Sequence, residues 1–233
     1  IYVYEVQLFC GRMVAYADPS LLSLDDGVLL VKTARRAVEE YLLSGRVIEP
    51  PDVGGVLQAK GMSFTTIRKI SEGEYKLRGC IGYLSPIEPL IKNVITTALA
   101  AALEDPRFEP VSAEELDQLV FEVSVLSLPK VMESTGRERV LEVVIGRDGL
   151  VVEYRIYKGV LLPEVPIEYC WDRETFLSET CVKAGMTPDC WLSSKVKVKT
   201  FKARVFKETS PRGSIVELDL VREYREKCHA VQP

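Results

Sequence analysis

Asparagine, histidine and paired cysteines are scarce in this chain, and each shortage excludes something. His229 is the only histidine among 233 residues. A single histidine beside the C-terminus removes the most common general base and metal ligand from most of the chain, and argues against a Cys–His nucleophilic pair. The six cysteines, Cys10, Cys80, Cys170, Cys181, Cys190 and Cys228, include no C-x-x-C pair. Zinc-ribbon and zinc-finger patterns are therefore excluded. No Cys–carboxylate spacing suggests a metal site either, and no cofactor fingerprint is present, so neither a metal nor a cofactor is expected. Asn93 is the only asparagine, a depletion of thermolabile amides that points to a thermophilic source. Basic charge is not in surplus: the net charge is −4. A domain-wide positive field for nucleic acid is therefore not expected. No apolar run approaches the roughly 18 residues that would span a membrane. Ala15-Tyr16-Ala17 mimics a signal-peptidase site, but Glu5, Gln7 and Arg12 interrupt the apolar stretch before it. The chain reads as cytoplasmic.

A chain that is 47% hydrophobic has material for a sizeable core. Residues 1–17 alternate weakly and suggest a peripheral strand. Asp25 and Asp26 precede a helical pattern that ends near Gly45. Residues 61–69 and 75–84 read as a hairpin around Ser71-Glu72-Gly73-Glu74. Ser85-Pro86-Ile87-Glu88 has the form of a capping box with proline at the first helical position. The helix it predicts carries apolar residues, Leu99 among them, on more than one face, and is expected to be central and buried. Ser112 opens another short helix, and Phe121, Val123 and Val125 alternate as a strand. Gly146–Gly149 turns between β-rich stretches at 140–145 and 150–157. Asp172 and Gly185 bracket a helix. In residues 195–208 the apolar phase slips near Thr200, which predicts a bulge or break. Helices and strands mix without βαβ alternation. The fold class is α+β, a mostly antiparallel sheet flanked by helices.

Leu77-Arg78-Gly79-Cys80-Ile81-Gly82 is the candidate site. In a regular strand Arg78, Cys80 and Gly82 share one face. A guanidinium two residues from a thiol favours the thiolate, and Gly79 and Gly82 let a ligand or another backbone approach closely. The apolar neighbours predict a mostly buried thiol, with a carboxylate from Asp105 or a nearby Glu paired to Arg78. The structural alternative is a core strand in which glycine packs under a helix. Glu104-Asp105-Pro106-Arg107-Phe108 reads as an Asp–Arg clasp at a helix end, or as an arginine that holds an anion. Lys195, Lys197 and Lys199, beside Lys202 and Arg204, could touch RNA or an acidic partner, but are read as protection of an exposed edge strand. Buried, reduced thiols are the default for the remaining cysteines. In a thermophile, disulfides become available, and Cys170 with Cys190, each followed by Trp, is the pair expected.

The blocks LRGCIGYL, DPRFEPVSAEEL, EVSVLSLP, LLPEVPIE and FLSETCVKAG occur in an order that resembles the AMMECR family, over residues 25–207. The resemblance implies an α+β domain with two unequal lobes, interleaved in sequence, and a cleft between them. Residues 1–20 and 208–233 would then be extensions. It also implies association with Memo-like and radical SAM proteins, and no firmly assigned reaction. The residues carried over as ligand-binding candidates are Arg78, Gly79, Cys80, Gly82, Asp105, Arg107, Glu168 and Lys183. Cys80 and Arg78 are the catalytic candidates if there is catalysis. Many relatives have His where this chain has Asp148 and Gln where it has Glu164, so neither position offers a shared base. The expected function is binding of a small molecule or partner segment near the LRGCIG strand. The alternative is an enzyme, or enzyme component, that uses Cys80 and Arg78.

Overall fold

The structure, a computed structural model, describes residues 16–228. The N-terminal strand expected over residues 1–17 lies almost wholly outside that range. In chain order the elements are α1 (Leu24–Ser44), β1 (Met62–Ser71), β2 (Glu74–Gly82), α2 (Leu90–Leu103), β3 (Leu119–Leu126), β4 (Lys130–Val131), α3 (Arg139–Glu142), β5 (Asp148–Tyr154), β6 (Tyr157–Leu161), α4 (Val165–Glu168), α5 (Arg173–Lys183), β7 (Lys197–Glu208), β8 (Ile215–Glu217) and α6 (Leu220–Cys228). The pairs β1–β2, β1–β3, β4–β7, β5–β6, β5–β7 and β7–β8 are antiparallel. The fold is α+β, as the mixed pattern predicts.

The chain forms two compact units. The first comprises Ile1–Leu126 with Arg204–Glu217, the second Ser127–Ala203 with Leu218–Pro233. In the first, β2, β1 and β3 pair in that order, and α1 and α2 cover one face. Residues Ser63, Thr65 and Ile67 of β1 point at α2. Ser63 donates to Asn93 Oδ1 through its amide and hydroxyl, both at 2.8 Å, and the Thr65 and Thr97 hydroxyls meet at 2.9 Å. The only asparagine of the chain is thus a buried bracket between strand and helix. Ala, Val, Leu and Ile of α2 pack into the core with Leu30, Val31, Ala34 and Val38 of α1. Leu99 is half-buried at the margin of this core.

α2 begins later than its sequence predicts. Ser85 does not cap it; Pro89 is the residue before the first turn. The backbone of residues 88–90 is engaged elsewhere, with Gly61 donating to the Glu88 carbonyl at 3.1 Å and Leu90 donating to the Ala59 carbonyl at 2.9 Å. Proline at 89 also holds Glu88 away from helical geometry. By contrast, Ser23 and Asp26 form a reciprocal capping box at the start of α1, and Ser112 and Glu115 do the same for the 3-10 turn Ala113–Gln118.

In the second unit β4, β7, β5 and β6 form the sheet. The stretch expected as a strand at 140–145 instead contains the helical turn α3. Arg139 there is buried, donating to the carbonyls of Trp191, Ser193 and Val196. The helix bracketed by Asp172 and Gly185 is present as α5, with Asp172 accepting from the Thr175 amide at 2.7 Å. No bulge marks Thr200. The β5–β7 register runs unbroken from Asp148–Lys202 to Glu153–Lys197. The apolar phase changes within the second unit, between the buried Val198 and the buried Phe201.

The expected Cys170–Cys190 bridge does not form. The disulfides are Cys170–Cys228 and Cys181–Cys190. Cys181 faces the core from the last turn of α5 and meets Cys190 after the following turn, which leaves Cys170 for the C-terminal helix. The reduced, buried state expected by default therefore does not hold for these four. Cys170–Cys228 closes a loop of 58 residues, for which chain entropy alone predicts a stabilisation of about 4 kcal/mol. Alkylation of the unfolded, unreduced chain followed by peptide mapping should label Cys80 and spare Cys170, Cys181, Cys190 and Cys228. Labelled Cys228 together with protected Cys190 and Cys170 would restore the Cys170–Cys190 pairing.

Candidate functional site

The hairpin that carries the LRGCIG stretch turns at Glu72 and Gly73, both at positive φ (56° and 82°). Such mirror-image turns match the twist of the flanking strands. From there the register runs regularly to Arg68–Leu77, then shifts so that Ile67 opposes Gly79. Arg78 is the extra residue of a β-bulge. The bulge overturns the expected face sharing of Arg78 and Cys80, because a bulge breaks strict alternation. Cys80 lies opposite Thr66, on the face away from α2. Arg78 instead turns with Lys69 towards Glu115.

Each glycine of the motif has a packing reason. A Cβ on Gly79 would lie 2.0 Å from the Ala101 carbonyl oxygen of α2. A Cβ on Gly82 would lie 2.2 Å from the Phe64 ring on the other face. Gly79 thus lets the helix backbone sit directly on the strand, the structural alternative that the sequence left open.

The charged groups around the motif are committed to one another. Arg78 forms a two-pronged pair with Glu115, both contacts at 3.0 Å, and donates to the Glu109 and Pro110 carbonyls at 2.7 and 3.2 Å. Glu115 also accepts from Lys69 at 3.0 Å and from the Ser112 amide at 3.0 Å. Asp105 is buried and clamped by Arg107 at 2.9 and 2.7 Å. Asp105 Oδ2 also accepts from the Cys80 amide at 2.9 Å. Since β2 is the edge strand of its sheet, this carboxylate occupies an edge N–H that would otherwise be open to pairing. Arg107 Nη2 reaches the Cys80 carbonyl at 3.4 Å, and its guanidinium lies over the Phe108 ring at 5.4 Å. The DPRF block is therefore a clasp on the LRGCIG strand. The hydrogen bond from Arg107 is the main reason that Asp105 falls from 3.8 to about 2. The bond from Arg78 does the same for Glu115, which falls from 4.5 to about 2.

Cys80 is half-buried rather than mostly buried, because its strand lies at the sheet edge. Its Sγ accepts a hydrogen bond from the Thr66 hydroxyl at 3.2 Å. On the next strand Glu122 stands opposite Thr66, buried, with Arg68 at 4.0 Å and Lys207 at 3.9 Å. Cys80, Thr66 and Glu122 thus form a polar row across three strands. Sequence reasoning missed Thr66, Glu122 and Lys207, since only strand register brings them to the motif, while the nearby Glu expected for Arg78 is Glu115 on the 3-10 turn. Asp105 and Arg107 are brought to Cys80. Arg78, Gly79 and Gly82 are adjacent in sequence but serve packing and pairing. Glu168 and Lys183 are exposed residues of the second unit. Asp148, also in that unit, is buried and paired with Arg147 at 2.6 Å. Among the described residues, no cluster of three His, Cys, Asp or Glu side chains could hold a metal ion. No helix there is long and apolar enough to cross a membrane.

The AMMECR1 family profile matches residues 31–206, a span that contains both motif blocks and the polar row up to β7. The chain belongs to the AMMECR1 family. It is 50% identical over 197 residues to Protein PH0010 of Pyrococcus horikoshii, covering 84% of this chain and 96% of that one. It is 48% identical over 204 residues to a protein of Thermofilum pendens, with the same coverage. A relative from Caldivirga maquilingensis is 46% identical over 211 residues, covering 89% of this chain and 96% of the relative. The crystal structure of uncharacterized protein PH0010 matches with a TM-score of 0.78 at 49% identity, over 82% of this chain and 96% of that chain. These AMMECR1 relatives come from thermophilic archaea, in keeping with the scarcity of asparagine.

Two expectations follow for this AMMECR1 chain. Gly79→Ala should destabilise the fold by about 1–3 kcal/mol or more in urea unfolding, since a helix carbonyl must move. Gly82→Ala should cost less, since the half-buried Phe64 ring can shift. Equal costs would remove the close helix approach as the reason for Gly79. The second concerns acid. Asp105 and Glu115 have depressed folded-state values, so their contribution is complete above the unfolded-state values and is lost as pH falls towards about 2. Between about pH 5 and pH 2 each should forfeit on the order of 1–2 kcal/mol after solvent screening. Asp105→Asn and Glu115→Gln should therefore flatten the acid limb of a urea-monitored stability profile. An unchanged slope would show that these pairs contribute nothing.

Proposed function

We propose that this AMMECR1 chain acts by binding, and that the polar sheet face carrying Cys80 and Thr66, with Arg107 at its rim, holds a small molecule or a partner segment. One observation carries the reading: the acidic groups beside the motif, Asp105 and Glu115, are locked in ion pairs that keep both near a pKa of 2. A general base works best when its pKa lies near the operating pH, and these carboxylates are far from that. Cys80, half-buried on the edge strand β2, is the group of this region that combines side-chain polarity with an accessible strand edge, and the buried Thr66 beside it on β1 bonds to its Sγ. A Memo-like protein is the partner that the family resemblance suggests. The two disulfides agree with a cytoplasmic location in a thermophile, where intracellular disulfides are common.

The reading is tested with the intact, folded protein. Iodoacetamide at neutral pH should modify Cys80 without unfolding, as judged by an unchanged circular dichroism spectrum. A bulky maleimide on Cys80 should then abolish calorimetric binding to the purified Memo-like protein of the same genome, whereas Cys80→Ser should retain it. Labelling that proceeds only at the unfolding rate would make Cys80 a packing residue and sink the proposed face. Turnover of a thiol-reactive substrate that is lost in Cys80→Ser would favour the enzymatic alternative.

A further inference from the structure

An open pocket of about 460 Å³ lies within the second unit, away from any motif discussed so far. Its apolar wall is built by Val140 of α3, by Val144 and Ile145 after it, and by Val221 of α6. Its polar rim comes from the start of α5 and from α6, and includes Arg173 and Arg225. The volume lies within the range of pockets that hold small organic ligands, and the lining divides into four apolar and five polar or charged residues.

The charge arrangement is selective. Two carboxylates also line the rim, but each has a partner. Asp172 caps α5 through the Thr175 amide at 2.7 Å, and Glu174 lies 3.7 Å from Arg137. On α6, Arg222 pairs with Glu226 at 2.8 Å. Arg173 and Arg225, in contrast, have no ion-pair partner among the described residues. Two uncommitted guanidiniums beside an apolar wall attract an anion, and guanidinium is the side chain best matched to a carboxylate. The nearby Asp172 and Glu174 charges disfavour a dianion or polyanion, leaving a single negative charge as the best fit.

The walls are also held in place. The Tyr224 hydroxyl donates to the Trp171 carbonyl at 2.9 Å, and Lys227 donates to the Glu168 carbonyl at 3.1 Å. Cys228, at the end of α6, is bonded to Cys170. A preorganised pocket loses less free energy on ligand binding than one that must first assemble. We propose that this pocket binds a small amphipathic monocarboxylate, its apolar body against Val140, Val144, Ile145 and Val221 and its carboxylate on Arg173 and Arg225. This site is independent of the Cys80 face.

The test is an NMR titration of the full, oxidised, isotope-labelled chain with 4-phenylbutyrate, and in parallel with 4-phenylbutanol, which has the same body without the charge. The acid should give saturable shifts centred on Val140, Val144, Ile145 and Val221, and should bind at least roughly tenfold more tightly than the alcohol. The double variant R173Q/R225Q alters only exposed side chains and leaves the Tyr224 and Cys170–Cys228 fastenings in place. It should keep a native spectrum and bind the acid no better than the alcohol. Equal affinity for acid and alcohol, unchanged acid binding in the double variant, shifts centred elsewhere, or no saturable binding of the acid at millimolar concentration would each overturn the proposal.

Discussion

Arg35 and Glu208 face each other inside the first unit with contacts of 2.6 Å at both prongs. Both are buried, so their pairing has to be complete. Arg35 also donates to the Leu119 carbonyl at 2.6 Å, and Glu208 accepts from the Phe121 amide at 3.0 Å. The guanidinium lies 4.7 Å from the centre of the Phe121 ring. An unpaired buried charge costs about 3–5 kcal/mol, so α1, β3 and the end of β7 must assemble together or not at all. This ion pair ties the returning segment of residues 204–217 to the first unit, and with it the strands on which the candidate site is built.

The same logic of committed charge governs the site. Asp105 occupies the exposed edge of β2 and is in turn held by Arg107. Glu115 gathers Arg78, Lys69 and its own helix cap. These contacts convert most of the conspicuous polar residues of the motif blocks into scaffold, and the strand they fix, β2, presents Cys80 beside the buried Thr66 of β1. A site made this way is well suited to hold something in a defined orientation. Asp105 and Glu115 in particular stay ionised far below neutrality, so neither is poised to move protons there. The second unit follows a different plan. Its C-terminal helix is fastened by a disulfide and by side-chain bonds to backbone carbonyls, and the uncommitted arginines lie on its pocket rim.

Several features were legible in the residues alone. The Gly45 end of α1, the caps of α5, the Glu72–Gly73 turn, the burial of α2 and the α+β class follow from local chemistry and apolar periodicity. The LRGCIG and DPRF blocks were legible as two separate stretches, and the clasp between Asp105 and Arg107 is a contact between near neighbours in sequence. Failures occurred where backbone groups had distant partners. Ser85 satisfies the capping pattern, yet residues 59–61 bind the backbone that the helix would have used. The cysteine pairing failed for the same reason, since it depends on which loops α5 and α6 bring together.

The clearest case is Cys80. Counting outward from the two-residue turn places Thr65 opposite Cys80, on the face towards α2. The bulge at Arg78 moves the pairing by one residue, and Thr66 becomes the partner instead. That single displacement separates Arg78 from Cys80, sends the arginine to Glu115 and places the thiol in a row with Thr66 and Glu122. By itself the sequence determined most of the long helices and strands, because those depend on neighbours within a few residues, while the stretch at 140–145, read as strand, is helical at α3. The tertiary structure decided which side chains meet, because the helix α2 resting on Gly79 and the clasp of Asp105 on the Cys80 amide are interactions across more than twenty residues of chain.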